Sequence, residues 1–305
     1  MTTRLAGSDA SPDPRPKVTV DAFREKRRRR EPITVLTAYD YPTARALDQV
    51  GVDAILVGDS LAMVVLGHPD TLAVTMNEML HHARAVSRGA KTALLIGDMP
   101  FMSYQADVGE AVRNAGRFLQ EAGMNAVKLE GGRSVAPTVK AIVQAGIPVQ
   151  GHLGLTPQSL NQLGGWRVQG RTAEAARALL EDALTLEDSG CFSIVLESVP
   201  ARLAGYITER LEVPTIGIGA GAGTSGQVLV THDLLGLYDR FTPRFAKRYA
   251  DLGQAMVTAF AAFRADVAAG LFPGSEHAYH LPAEEWEAFL ASLGEELPVT
   301  ATSRR

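Results

Sequence analysis

The chain has 305 residues, 46% hydrophobic and 21% charged, a balance that excludes wholesale disorder and allows a large core. Its net charge of −4 gives no global attraction to nucleic acid or to an anionic membrane. The single Cys191 rules out an internal disulfide framework and a thiolate metal cluster, and with no run of 18 apolar residues a reducing cytoplasm is the natural compartment.

Residues 1–17, rich in Pro, Ser and Asp and without an apolar signal region, read as a disordered leader. The basic run REKRRRR (24–30) borders a predicted strand in an acidic chain. A solvated helix end is therefore its expected role, ahead of a nucleic-acid contact. Regular alternation begins at residue 33, where an apolar run to 39 ends at Asp40 and helix-spaced apolar positions follow to Gly51. Further strands are expected at 54–57, 92–97, 125–129, 147–151, 191–196, 214–218 and 228–231. Helices are expected at 76–88, 104–122, 135–145, 172–189 and 201–211.

Eight such strands, nearly all preceded by a helix, make repeated βαβ units. A single closed (β/α)8 barrel is the expected α/β fold, with a doubly wound open sheet as the competitor. Closure is favoured because polar residues finish many strands rather than one switch point. The two longest connections, 58–75 and 153–171, also follow strands two and five on the same face. A helical stretch at 251–269, the segment LFPGSEHAYH and a partly helical 282–293 complete the chain. The expected division is a leader at 1–17, a barrel catalytic domain with C-terminal helices at 18–280 and a peripheral tail at 281–305.

The chemistry gathers at strand ends. VDAILVGDS (52–60) delivers Asp59 and Ser60, TALLIGD delivers Asp98, AVKLE delivers Lys128 and Glu130, and FSIVLE delivers Glu197. Carboxylates without sulfur ligands suit a hard cation, Mg²⁺ before Zn²⁺, and Asp59, Asp98 and Glu130 in one mouth would repel each other without one. Lys128 and Glu130 are two apart and share a strand face, so Lys128 is placed to bind a carboxylate or form a Schiff base. His152, in VQGHLGLTP, is open to a functional or a structural reading. Glu197 follows SIVL and precedes Ser-Val-Pro, a dry setting that would raise its pKa toward a general base for a carbon-bound proton. The glycine stretch GIGAGAGTSG (217–226) lacks the GxGxxG spacing and comes late, so a tight turn is expected there rather than a phosphate loop.

In order, TAYDYPTA (37–44), VGDSLAMVVLGHPDTLAVT (57–75), GDMPFMSY (97–104), VKLEGG (127–132), GHLGLTPQS (151–159), LESVP (196–200) and IGIGAG (216–221) with GQVLVTHDLLG (226–236) resemble the ketopantoate hydroxymethyltransferase family. The similarity runs from about residue 18 to 280, with Ala73 where that family usually has Pro. The resemblance implies a TIM barrel of the phosphoenolpyruvate/isocitrate lyase type, dependent on Mg²⁺ and working in the cytoplasm as a homodecamer. It implies transfer of a hydroxymethyl group from methylenetetrahydrofolate to 3-methyl-2-oxobutanoate through a Mg-stabilised enolate. The products are 2-dehydropantoate and tetrahydrofolate, in the first committed step of pantothenate synthesis. Asp59 and Asp98 fall on metal and substrate positions, Glu130 on the third metal-shell position, Ser60, Lys128 and His152 around the substrate, and Glu197 on the proton acceptor. A folate-independent carbon–carbon lyase on the same barrel is the other enzymatic reading.

Overall fold

The computed structural model describes residues 15–241 and 243–294, so the expected leader lies almost wholly outside the described residues, as does the end of the tail. The elements are α1 (Val20–Arg29), β1 (Ile33–Thr37), α2 (Tyr41–Val50), β2 (Ala54–Val57), α3 (Leu61–Val64), α4 (Met76–Gly89), β3 (Leu94–Asp98), α5 (Val108–Ala122) and β4 (Ala126–Glu130). They continue with α6 (Ala136–Gln144), β5 (Val149–Gly154), α7 (Leu160–Leu163), α8 (Ala173–Asp188), β6 (Ser193–Glu197), α9 (Ala201–Arg210), β7 (Thr215–Ile218), β8 (Gly226–Leu229), α10 (Thr231–Leu235), α11 (Leu252–Ala268) and α12 (Ala283–Leu293). The eight strands close in sequence order into a parallel barrel, β8 pairing with β1.

Side-chain chemistry marks the helix boundaries. Asp40, Thr75, Asp107 and Thr172 each accept a backbone N–H at the start of α2, α4, α5 and α8, and Thr75 with Glu78 completes a capping box. Gly51 and Gly123 end α2 and α5 in the left-handed conformation. The Asp107 cap starts α5 four residues later than expected and leaves Tyr104 in the preceding loop. On β5, Pro148 has no N–H for the ladder, so pairing starts at Val149 and runs on to Gly154, which brings His152 inside the strand. The last strand ends at Leu229, and Thr231 instead opens α10, its backbone N–H donating to the Thr37 hydroxyl.

Alternation along each strand separates two cores. Ile33, Val35, Leu56, Leu94, Ile96, Val195, Ile216 and Val228 fill the lower barrel interior, whereas Ile55, Val57, Leu95, Val127, Leu129, Val149 and Ile194 face the helices. From α1, Phe23 enters the interior core and packs edge-on to Phe192, ring centroids 5.7 Å apart, closing the N-terminal end of the barrel. The basic run belongs to this plug. Lys26 pairs with Asp53, and Arg27 donates to the carbonyls of Thr208 and Leu211. The glycine stretch is a turn between β7 and β8, where a Cβ at Gly221 (φ 77°) would meet Ala201.

Compactness divides the chain after Asp251, whereas the family resemblance puts the expected boundary at residue 280. The second unit contains α11 and α12, with Phe263 stacked edge-on to Phe272 and Trp286 beside Phe289. Among the described residues no helix is long and apolar enough to cross a membrane.

Candidate active site

Period-two alternation decides what the barrel mouth contains. On β4, Lys128 and Glu130 point inward. Register places Asp98 beside Lys128, His152 beside Glu130 and Glu197 beside Gly154. With Asp59 and Ser60 after β2, these residues line one cavity of about 830 Å³ at the C-terminal face. Its outer wall includes Trp166, Val168, Tyr238 and Phe245. All seven residues singled out from the sequence thus meet, although they come from five strand ends.

The floor is a network of buried charges. Lys128 Nζ lies 2.8 Å from Asp98 Oδ1 and 3.8 Å from Glu130 Oε1, so its closest carboxylate is Asp98 on the neighbouring strand, not Glu130 on its own. Burial opposes its charge, but Asp98, Glu130 and Asp59 outweigh that and hold the ammonium ionised. Asp59 is held well above the usual carboxylate range by burial, then by the charges of Asp98 and Glu130. Burial also raises Asp98 against the pull of Lys128. At Glu130 burial acts upward too, yet His152 and Lys128 win and its pKa falls below the ordinary value.

His152 bridges two carboxylates, Nδ1 lying 3.3 Å from Glu130 Oε1 and Nε2 3.2 Å from Glu197 Oε2. Nδ1 is also 3.2 Å from Lys128 Nζ, and it cannot accept from the ammonium while donating to Glu130. Burial and the Lys128 charge push His152 down, but its two carboxylate partners lift it to about 9, so the imidazole is protonated and ion-paired with both. The dry setting expected for Glu197 needs correction. Its side chain is 13% exposed and faces a cationic imidazole, because the carboxylate sits at the rim where β6 ends. Ser198 then turns the chain at φ 50°, its N–H bound to the Ile218 carbonyl, a left-handed position that few non-glycine residues adopt. Across the ladder, Gly154 (φ 92°) leaves room for the Glu197 carbonyl, where a Cβ would collide.

The fit to a divalent cation rests on buried carboxylate oxygens that make ion pairs but no aligned hydrogen bond. Asp98 Oδ1 and Glu130 Oε1 are buried without an aligned hydrogen bond; the Lys128 ammonium is close to Asp98 but off the hydrogen-bond line. At the floor Asp59, Asp98 and Glu130 face Lys128 and His152, with Glu197 at the rim, a set rich in hard oxygen donors. Among the described residues no three Asp, Glu, His or Cys side chains converge to enclose an ion by themselves. A site of one or two carboxylates, completed by substrate oxygens and water, is the arrangement Mg²⁺ ordinarily takes.

Three residues that matter here were not singled out from the sequence. Gln158 links Asp59, Met99 and Glu130, Tyr104 accepts the Glu130 N–H, and Tyr39 holds the Ser60 hydroxyl at 2.8 Å. All lie inside the quoted motifs, but neither spacing nor charge distinguishes them from ordinary loop residues.

The sequence model of the ketopantoate hydroxymethyltransferase family matches residues 17–275. The chain belongs to that family. This hydroxymethyltransferase is 62% identical over 263 residues to the 3-methyl-2-oxobutanoate hydroxymethyltransferase of Syntrophobacter fumaroxidans, covering 86% of this chain and 93% of the relative. To the protein of the same name from Nitratidesulfovibrio vulgaris (strain DP4) it is 53% identical over 297 residues, covering 96% of each. Solved structures with the same fold include a phosphonopyruvate hydrolase crystallised with oxalate and Mg²⁺ (TM-score 0.56, 14% identity, 90% of this chain and 98% of that one). Another is 2,3-dimethylmalate lyase of the phosphoenolpyruvate mutase/isocitrate lyase superfamily (TM-score 0.54, 17% identity, 90% and 99%). At such identities the likeness concerns the fold alone, so it gives the lyase alternative no chemical support.

Proposed function

We propose that the enzyme transfers a hydroxymethyl group from methylenetetrahydrofolate to 3-methyl-2-oxobutanoate, giving 2-dehydropantoate and tetrahydrofolate for pantothenate synthesis. The observation that carries this reading is the convergence of Asp59, Asp98, Lys128, Glu130, His152 and Glu197 in one cavity. Asp59, Asp98 and Glu130 would hold Mg²⁺. Bound there, the ion supplies Lewis-acid polarisation of a keto group. Lys128 and Ser60 bind the keto acid, and the ammonium offsets negative charge developing on its oxygen. Glu197, held by His152, takes the proton from the carbon next to the keto group. That carbon then attacks the one-carbon unit of the folate. A carbon–carbon bond replaces the carbon–nitrogen bonds, and one water supplies the hydroxyl. In the same reading residues 18–280 form the catalytic domain of a cytoplasmic homodecamer.

Exchange of the substrate C3 proton with solvent deuterium tests the chemistry without folate. Wild type should exchange in Mg²⁺ and stop in excess chelator, while Glu197→Gln should bind the keto acid yet fail to exchange. Wild-type exchange in that variant would remove Glu197 from the base role, and exchange undiminished by chelator would sink the metal assignment.

A further inference from the structure

We propose that Gln158 is a positioning residue that selects which oxygens of Asp59 and Glu130 are offered to the metal, an inference that rests on the metal-assisted reading above. Gln158 sits in the short 3-10 turn Pro157–Ser159 that follows β5, and it is buried. Its Nε2 donates to Asp59 Oδ2 and to the Met99 carbonyl, both at 2.9 Å. Its Oε1 accepts from the Tyr104 hydroxyl at 2.7 Å and from Gln105 Nε2 at 3.1 Å. Its backbone N–H donates to Glu130 Oε2 at 3.0 Å. The side-chain amide therefore uses both protons and both lone pairs, and its orientation is forced because the NH2 faces two groups that only accept.

One residue beyond β5 thus ties the ends of β2, β3 and β4. Each carboxylate of the floor has one oxygen committed to the protein: Asp59 Oδ2 and Glu130 Oε2 to Gln158, and Asp98 Oδ2 to the Asp59 N–H at 3.1 Å. Of these carboxylate oxygens, the two without an aligned hydrogen bond are the opposite ones, Asp98 Oδ1 and Glu130 Oε1, each beside the Lys128 or His152 charge. Outer partners that fix the ligating oxygen in this way tune metal affinity, typically by 10- to 100-fold when removed. A glutamate at 158 would keep the shape and set a carboxylate against Asp59 and the Met99 carbonyl. A leucine would keep the bulk and remove both donors.

Mn²⁺ binding followed by electron paramagnetic resonance, on the full chain with the keto acid present, reads this directly. Gln158→Leu and Gln158→Glu should each weaken Mn²⁺ by roughly 10- to 100-fold. Their C3 proton exchange should recover as Mg²⁺ is raised, because the defect lies in holding the ion. A merely structural role would lower exchange equally at every Mg²⁺ concentration and would overturn the proposal. Tyr104→Phe, which deletes only the hydroxyl between Gln158 Oε1 and the Glu130 N–H, should weaken Mn²⁺ by a smaller factor; it decides the matter if both Gln158 variants fail to fold. Wild-type Mn²⁺ affinity in whichever of these variants fold would overturn the positioning role and leave the metal reading intact, whereas no Mn²⁺ binding by the wild-type chain would overturn both.

Discussion

Lys128 is the residue on which the charge balance of the site turns. Its ammonium is buried and meets three carboxylates, so removing it leaves buried negative charge without its nearest cation. Breaking a buried ion pair from one side ordinarily costs about 3–5 kcal/mol, and Lys128→Met should lose about that much stability at pH 7.5 by urea denaturation. The pH dependence has a definite sign. Lys128 has a raised folded pKa, so its contribution is whole at neutral pH and lost only as pH rises through that pKa. Asp59 and Asp98 are raised as well, so their ionisation opposes folding as pH climbs above the ordinary carboxylate range, and the variant should lose less at pH 5 than at pH 7.5. An equal loss at both would rule out the charge account. The candidate residues were legible because acids ending apolar runs are conspicuous. Gln158 was not, since its significance lies in a hydrogen bond to a carboxylate 99 positions away.

At the scale of elements, Asp48 illustrates how a helix is tied to the next strand. Near the end of α2, its carboxylate accepts the backbone N–H groups of Lys91, Thr92 and Ala93 and the Thr92 hydroxyl, fixing the entry to β3. Burial works against the charge, but the three N–H bonds win and the pKa is lowered. For a depressed carboxylate the stabilisation is present above the unfolded value and lost as pH falls through the folded one. Asp48→Ala should therefore cost about 1–3 kcal/mol near pH 7, with the difference from wild type starting to shrink as pH falls below the ordinary carboxylate value, about 4. Urea denaturation at pH 7 and pH 3 measures it, and a gap as large at pH 3 as at pH 7 would contradict the assignment. Element order was readable from periodicity; element ends were not. Asp107 starts α5 late and Pro148 delays β5, choices made by a cap and a missing N–H.

Across the molecule, the two ends of the barrel do different work. The N-terminal end is sealed by Phe23 in the interior core, and the C-terminal end holds the charged floor. Phe23→Ala should cost about 3–5 kcal/mol in stability, while the KM for the keto acid and the rate of C3 proton exchange stay at wild-type values below the melting range. A changed KM would mean that the plug and the mouth are coupled. Light scattering on the intact chain tests the proposed decamer, with a monomeric mass as the outcome against it. By itself the sequence determined the eight-fold alternation, the inward set of acids and Lys128, and the family, because strand periodicity and motif order are local properties that survive without coordinates. Only the tertiary structure decided that Lys128 answers to Asp98, that His152 bridges Glu130 and Glu197, and that Gln158 closes the floor. Those pairings depend on the register between neighbouring strands and on loops folding back over them, and register is set by the closed barrel as a whole rather than by any one segment.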